Sequence, residues 1–288
     1  MVRRIPRDPR WLQLAVLGSL IVYGISVLGF PLSVPRVAAT VAGALVTQRL
    51  LSWWFSVARF DPKSALITAF SLTLLLRTPD HTTAFFAAAI AIASKFLIRS
   101  RDRHIFNPAN FAIVFCLATG SGWGAPGLWG SVALFALVLG GCGVFVVARS
   151  ARADVTMAFL VIFAALTIGR GVWLGDPLRV AWHGLQSGAV ILFAFFMLSD
   201  PKTTPNSRTG RLVFASLVAT LAFAIQWSVY RSDAVMWALA ALAPMTPALN
   251  RFFPGSEHRW PSPPLDRPST SKARSSVSKI GLPSRSYS

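Results

Sequence analysis

Acidic side chains are scarce in this chain: ten Asp and Glu in 288 residues, against 28 Lys and Arg. Charged residues of both signs make up 13% of the sequence, where a soluble domain carries about 25%, and 54% of residues are hydrophobic. With a mean hydropathy of +0.56, the chain is too apolar to close around one soluble core. Cysteine is scarcer still. Cys116 and Cys142 lie inside apolar runs with no CxxC or Cys/His spacing, which excludes a disulfide scaffold, a zinc or iron–sulfur site and a redox dithiol. Both read as ordinary buried thiols. The formal net charge of +18 would suggest nucleic acid in a soluble protein. Here the basic residues avoid the apolar runs, and no nucleic-acid partner is expected.

What the sequence has in plenty is membrane-length apolar segments. A hydrocarbon core takes about 20 apolar residues as a helix, and ten segments separate cleanly at polar punctuation. They are Trp11–Phe30, Val37–Phe55, Ser64–Leu76, Thr82–Ile98, Ala109–Gly120, Leu128–Ala148, Val155–Leu174, Gln186–Leu198, Arg211–Tyr230 and Ala234–Leu249. The first reads as a retained anchor rather than a cleaved signal. If the N-terminus is cytoplasmic, alternating the segments places 23 of the 28 Lys and Arg on the inside; only Arg36, Arg77, Arg170, Arg179 and Arg231 fall outside. That bias is the one the positive-inside rule requires. The expected fold is therefore all-α, a polytopic membrane protein of about ten transmembrane helices with both termini in the cytoplasm. Its location would be the plasma (bacterial inner) membrane, and its first partner the lipid bilayer.

Three regions follow: a basic N-terminus over 1–10, a transmembrane domain over 11–250, and a tail over 251–288. The tail is rich in Ser, Pro and basic residues and buries too little apolar area to offset its ordering entropy, so it is expected to be disordered and cytoplasmic.

The third and eighth segments are too short to span. Both start at a small polar residue and end in a polar residue and proline, at Arg77-Thr78-Pro79 and Ser199-Asp200-Pro201. They hold the third place in each half of five, and because five is odd the halves are inverted. Interrupted helices at matching places of inverted halves point to a midplane site. No carboxylate falls in mid-bilayer, which argues against a proton- or sodium-coupled carrier. His104 falls inside and His183 outside, which argues against a bis-histidine haem.

Two cytoplasmic connections carry specific polar sequences. Arg101-Asp102-Arg103-His104-Ile105-Phe106-Asn107-Pro108-Ala109-Asn110 leads into the fifth segment. Asn107 and Pro108 suit an N-cap and first helical position. In a functional site, Asn107 and Asn110 would supply amide groups, and Arg103 and His104 would face an anion. The second connection runs from Asp200 through Lys202, Thr203, Thr204 and Arg208 to Arg211. Asp200 at a helix C-terminus needs compensation, for which Lys202, Arg208 and Arg211 are the nearest cations. Hydroxyls and cations ahead of the ninth segment also make a cradle for phosphate or carboxylate. The candidate cofactor-binding residues are thus Arg103, His104, Asn107, Asn110, Asp200, Lys202, Thr203, Thr204 and Arg208.

At His104-Ile105-Phe106-Asn107-Pro108-Ala109 and Phe195-Phe196-Met197-Leu198-Ser199-Asp200-Pro201 the chain resembles the NqrB/RnfD family. That family comprises the D subunit of Rnf-type electron-transport complexes and the B subunit of the sodium-translocating NADH:quinone reductase. The similarity covers roughly residues 11–250 and is closest to stand-alone relatives, some from enediyne biosynthesis clusters. The resemblance implies two inverted five-helix halves, flavin- or quinone-linked electron transfer across the membrane, and other membrane redox subunits as partners. Such a chain acts as an electron-transfer or a non-catalytic subunit of an oxidoreductase complex. The family attaches FMN to a Thr in a Ser/Thr-Gly-Ala-Thr type sequence near the connection of spans seven and eight. Residues 169–179 here contain neither Thr nor Ser, so covalent FMN is not expected and a non-covalent flavin, FMN or riboflavin, takes its place. Two other functions fit the same fold: a small-solute channel or facilitator, and a membrane scaffold of a biosynthetic complex.

Overall fold

A computed structural model describes residues 8–57, 60–100, 103–125, 153–185 and 187–256. Helices account for nearly all of the regular structure, and their starts follow from local chemistry. Helix α1 (Pro9–Ser26) is capped by Asp8, which accepts from the Arg10 N–H, and α3 (Pro62–Leu75) by Asp61; in both, proline opens the helix. Helix α2 (Val34–Trp54) begins at Val34-Pro35 without a side-chain cap. Asp80 caps α4 (His81–Leu97), and Asn107 caps α5 (Pro108–Ala118). After the residues outside the described set come α6 (Ala153–Leu174), α7 (Leu178–Leu185) and α8 (Gly188–Leu192). The last of these runs straight into a π-helical turn, Phe193–Met197. Ser207 caps α9 (Arg208–Ser228), which is followed by α10 (Ala234–Leu242), a 3-10 turn over Ala243–Met245 and α11 (Thr246–Phe252).

Nine of the ten expected segments are helical, and the sixth, Leu128–Ala148, lies outside the described residues. Three details differ. The first segment stops at Ser26, because Gly29 turns with φ +61° and Phe30 folds back to donate its N–H to Gly24 O. The tenth is broken where Pro244 and Pro247 remove backbone donors. Helix α7 occupies a stretch read as a plain connection. Helix α11 also runs to Phe252, past the expected end of the membrane domain; residues 257–288 lie outside the described set. Among the described residues, α6 and α9 are long and apolar enough to cross a bilayer, whereas α1, α3, α4, α5 and the α8–π segment are apolar but shorter.

Four two-residue strands are present among the described residues. Strand β1 (Leu76–Arg77) pairs antiparallel with β4 (Trp123–Gly124), and β2 (Arg99–Ser100) with β3 (Arg103–His104). Each ties a helix end to the next connection.

Small residues set the packing. Helix α2 lies along α4, with Thr40, Gly43 and Ala44 buried on one and Ala84, Ala87, Ala88 and Ala91 on the other. At Gly43 the backbones approach so closely that an added Cβ would stand 2.3 Å from the Phe85 carbonyl oxygen. Close approach through small residues is how apolar helices gain dispersion contact where water drives nothing. Helix α9 lies along α6 in the same manner, burying Ala215, Ala219 and Ala222 between larger Phe214 and Val218. Helices α4 and α9 pack in turn on α5 and α10, and those two meet each other. Lys95 Nζ bonds Gln48 Oε1 at 2.8 Å and Ser64 Oγ at 2.9 Å, tying α4, α2 and α3 together.

Candidate functional site

The two polar connections singled out from the sequence come together. Strand β3 and the start of α5 lie against the turn that follows the π-helical segment, and Arg103 is the clasp. Its Nε donates to Lys202 O at 2.8 Å, its Nη2 to Pro201 O and Thr204 O at 2.7 and 2.8 Å, and its Nη1 to Asn206 Oδ1. A planar guanidinium with five donors suits a loop offering several carbonyls.

Asn107 does two things at once. Its Oδ1 accepts from the Asn110 N–H at 3.1 Å, closing the first turn of α5, while its Nδ2 reaches Met197 O and Asp200 Oδ2 at 3.5 and 3.4 Å. The N-cap role inferred from sequence is therefore correct, and the same side chain also bridges to the second connection. Asn110, 1% exposed, donates through Nδ2 to Met236 O of α10. Its Oδ1 is buried with no partner.

Asp200 is compensated differently from expectation. His104 Nε2 stands 3.6 Å from Asp200 Oδ2, and the Lys202 backbone N–H donates to Oδ1 at 2.9 Å. Burial works against the charged carboxylate, but His104 and the Lys202 N–H outweigh it and hold its pKa below the ordinary Asp value. Arg211 is not involved, because it forms a bidentate pair with Asp154 at the start of α6. Lys202 and Arg208 extend to the exposed side. Thr203 and Thr204 are buried, and both hydroxyls donate to Asp200 O. Thr246 in turn donates to Thr203 O, fastening the turn to α11. Above it, the Thr156 hydroxyl of α6 bonds Ala194 O in the α8–π segment.

Eight of the nine predicted residues, Arg103, His104, Asn107, Asn110, Asp200, Lys202, Thr203 and Thr204, are thus linked through side-chain or backbone contacts, whereas Arg208 is exposed at the start of α9. Sequence reasoning missed the Asn206–Asn250 contact, in which Asn250 Oδ1 accepts the Asn206 N–H at 2.7 Å. It also missed the network of Asp8, Arg10, Asp61 and Lys63, whose ion pairs at 2.6–2.9 Å join the N-terminus of α1 to that of α3. A carboxylate just before each helix was the available signal. Among the described residues no group of His, Cys, Asp and Glu is arranged to hold a metal ion.

This is a helical protein in which Arg103 clasps one polar connection to the other, and its sequence is similar to a defined family. Residues 118–257 match the model of the NQR2, RnfD, RnfE family, in agreement with the resemblance carried by the motif closing at Asp200-Pro201. Individual relatives are ion-translocating oxidoreductase complex subunits D. That of Stutzerimonas stutzeri is 35% identical over 92 residues, covering 30% of this chain and 26% of the relative. That of Cronobacter sakazakii is 42% identical over 89 residues, covering 29% and 24%. The chain spans about a quarter of the length of the curated relatives it matches.

Proposed function

We propose that this chain is a multi-pass membrane subunit of a redox complex, acting in electron transfer beside other membrane redox subunits. The observation that carries this is the family match over residues 118–257, which contains Asp200 and the turn behind it. The relatives are named as subunits of an ion-translocating oxidoreductase complex. Membrane placement is supported by the apolar lengths of α6 and α9. It is supported too by exposed aromatics at helix ends: Trp53 and Trp54 close α2, Trp173 closes α6 and Tyr230 follows α9. An inverted repeat is supported by the matched packing of α2 on α4 and α6 on α9, followed by α4 on α5 and α9 on α10.

The cofactor in this reading is a non-covalent flavin, FMN or riboflavin, or a quinone. The residues offer such a group one buried atom without a hydrogen-bond partner, Asn110 Oδ1. It would accept an N–H from the cofactor. A flavin supplies one- and two-electron transfer when bound. Arg103, Asn107 and Asp200 hold the clasp in register, and exposed Lys202 and Arg208 are free to meet a phosphate. Absorption and extraction of the detergent-purified protein test this reading. Stoichiometric flavin or quinone supports it; neither cofactor, together with unchanged membrane reductase activity on deletion, would sink it.

A second reading, a small-solute facilitator, draws on the two short helices α3 and α8, which give way to strand β1 and to a π-helical turn. Solute flux in liposomes that is lost in Asn110→Leu would favour it over electron transfer.

A further inference from the structure

Helix α7 has eight residues, a length of about 12 Å, against a hydrocarbon core of about 30 Å. It is too short to cross a bilayer, yet its surface is not that of a connection facing water. Leu178, Ala181, Trp182 and Leu185 recur at the spacing that gathers them on one side of a helix. Ala181 is buried against α6, where a Cβ added to Gly171 would stand 3.6 Å from the Ala181 Cβ. Leu178 and Trp182, on the same side, are each 62% exposed. Arg179 and Val180 lie on the other side, and both are exposed.

The turn into α7 fixes it to the end of α6. Gly175 takes φ +73°, the left-handed conformation that ends many helices. Its N–H donates to Val172 O at 3.2 Å, and the Asp176 N–H donates to Gly171 O at 2.8 Å. Asp176 also faces Arg170 Nη1 at 3.8 Å, and the Arg170 guanidinium lies 3.6 Å over the Trp227 ring of α9. Pro177 O then accepts the Val180 N–H at 2.9 Å, closing the first turn of α7. The contact of Ala181 with Gly171 sets the depth: the middle of α7 lies level with a residue one turn inside the end of α6. At that end Val172, Trp173 and Leu174 are themselves more than half exposed. Apolar side chains therefore stand open on both sides of one short turn, a surface that calls for a partner.

We propose that α7 lies in the membrane–water boundary at the outer end of α6, with Leu178 and Trp182 among lipid acyl chains and Arg179 in the headgroup layer. Lipid is the occupant because of where the turn holds the helix. Helix α6 is apolar and 22 residues long, about 33 Å, so its last turn falls where hydrocarbon gives way to headgroups. A short helix at that depth meets acyl chains on one side and water on the other, and α7 supplies an apolar side, a tryptophan and a cation to match. The proposal rests on the membrane reading of this chain and adds to it a lipid-contact surface.

The test uses the full chain in lipid nanodiscs, with Cys116 and Cys142 replaced by alanine. A nitroxide is attached at Trp182→Cys, Arg179→Cys or Val161→Cys, and its collisions with dissolved oxygen are compared with those with a water-soluble nickel chelate. Val161, exposed near the middle of α6, reports by itself whether that helix is in hydrocarbon. The oxygen-to-nickel ratio at 182 should exceed that at 179 by about threefold, with 161 higher still. A high ratio at 161 with 182 no higher than 179 overturns the proposal and leaves the membrane reading standing. A low ratio at 161 removes the membrane reading and the proposal with it. A label at 182 shielded from both reagents, as a second copy or a protein partner would leave it, also overturns lipid contact. The native-cysteine chain gives an independent measurement: lipid brominated near the headgroup end of its acyl chains should quench tryptophan emission less in Trp182→Phe than in wild type. Equal fractional quenching of the two overturns the proposal.

Discussion

Asp200 and Arg103 hold the same turn from opposite sides, one as acceptor and one as donor. Because the Asp200 pKa is depressed in the folded protein, its contribution to stability is fully present above the unfolded carboxylate value of about 3.9. It is lost as pH falls through the lower folded value. Thermal unfolding of the wild type and Asp200→Asn should therefore differ by a constant amount from pH 5 to 8 and converge below about pH 4. A difference that grows toward acid would contradict the assignment. For Arg103→Lys, an ammonium cannot serve four acceptors spread over Pro201, Lys202, Thr204 and Asn206. A loss of about 2 kcal/mol is expected, read as a lowered melting temperature with the helix content unchanged by circular dichroism.

At the scale of elements, the crossing of α2 and α4 depends on a missing side chain. Gly43→Ala puts a methyl group against the Phe85 carbonyl, which belongs to helix backbone and cannot rotate away. The helices must separate, at a cost of about 1–3 kcal/mol. Gly18→Ala is the matched control, since its nearest neighbour would be the Phe70 ring at an ordinary 3.6 Å. Melting curves of the two variants should diverge, with Gly18→Ala at or above wild type because alanine favours the helix. Equal curves would mean that the close crossing bears little of the stability. Asn107 and Pro108 were legible as the start of α5 because cap chemistry is local. The break at Pro244 was also written in the sequence, yet the apolar run across it masks the interruption.

For the whole molecule, the distribution of Lys and Arg predicts a topology that the helices alone do not decide. A reporter fused after Leu249 should behave as cytoplasmic, fluorescent as a green fluorescent protein fusion and inactive as alkaline phosphatase. A fusion after Ser33, between α1 and α2, should give the opposite pair of results. Two fusions on the same side would break the alternation on which the ten-segment map rests.

Low charge, long apolar runs and capping residues were enough, in the sequence, to set helical class, most helix positions and the two polar connections. These are properties of single segments, fixed by neighbours within about four residues. Tertiary structure alone decided which charges find each other. That His104 rather than Lys202 or Arg211 faces Asp200, and that Arg211 pairs with Asp154, depends on contacts between residues 57 to 96 positions apart. Arg77 shows the difference most clearly. In the sequence it is one of five cations counted on the outer side; in the fold it is buried at the end of α3 with two guanidinium nitrogens, Nε and Nη2, left without hydrogen-bond partners. Spacing along a chain carries helix periodicity and caps, but the dielectric around a charge is set by what packs over it.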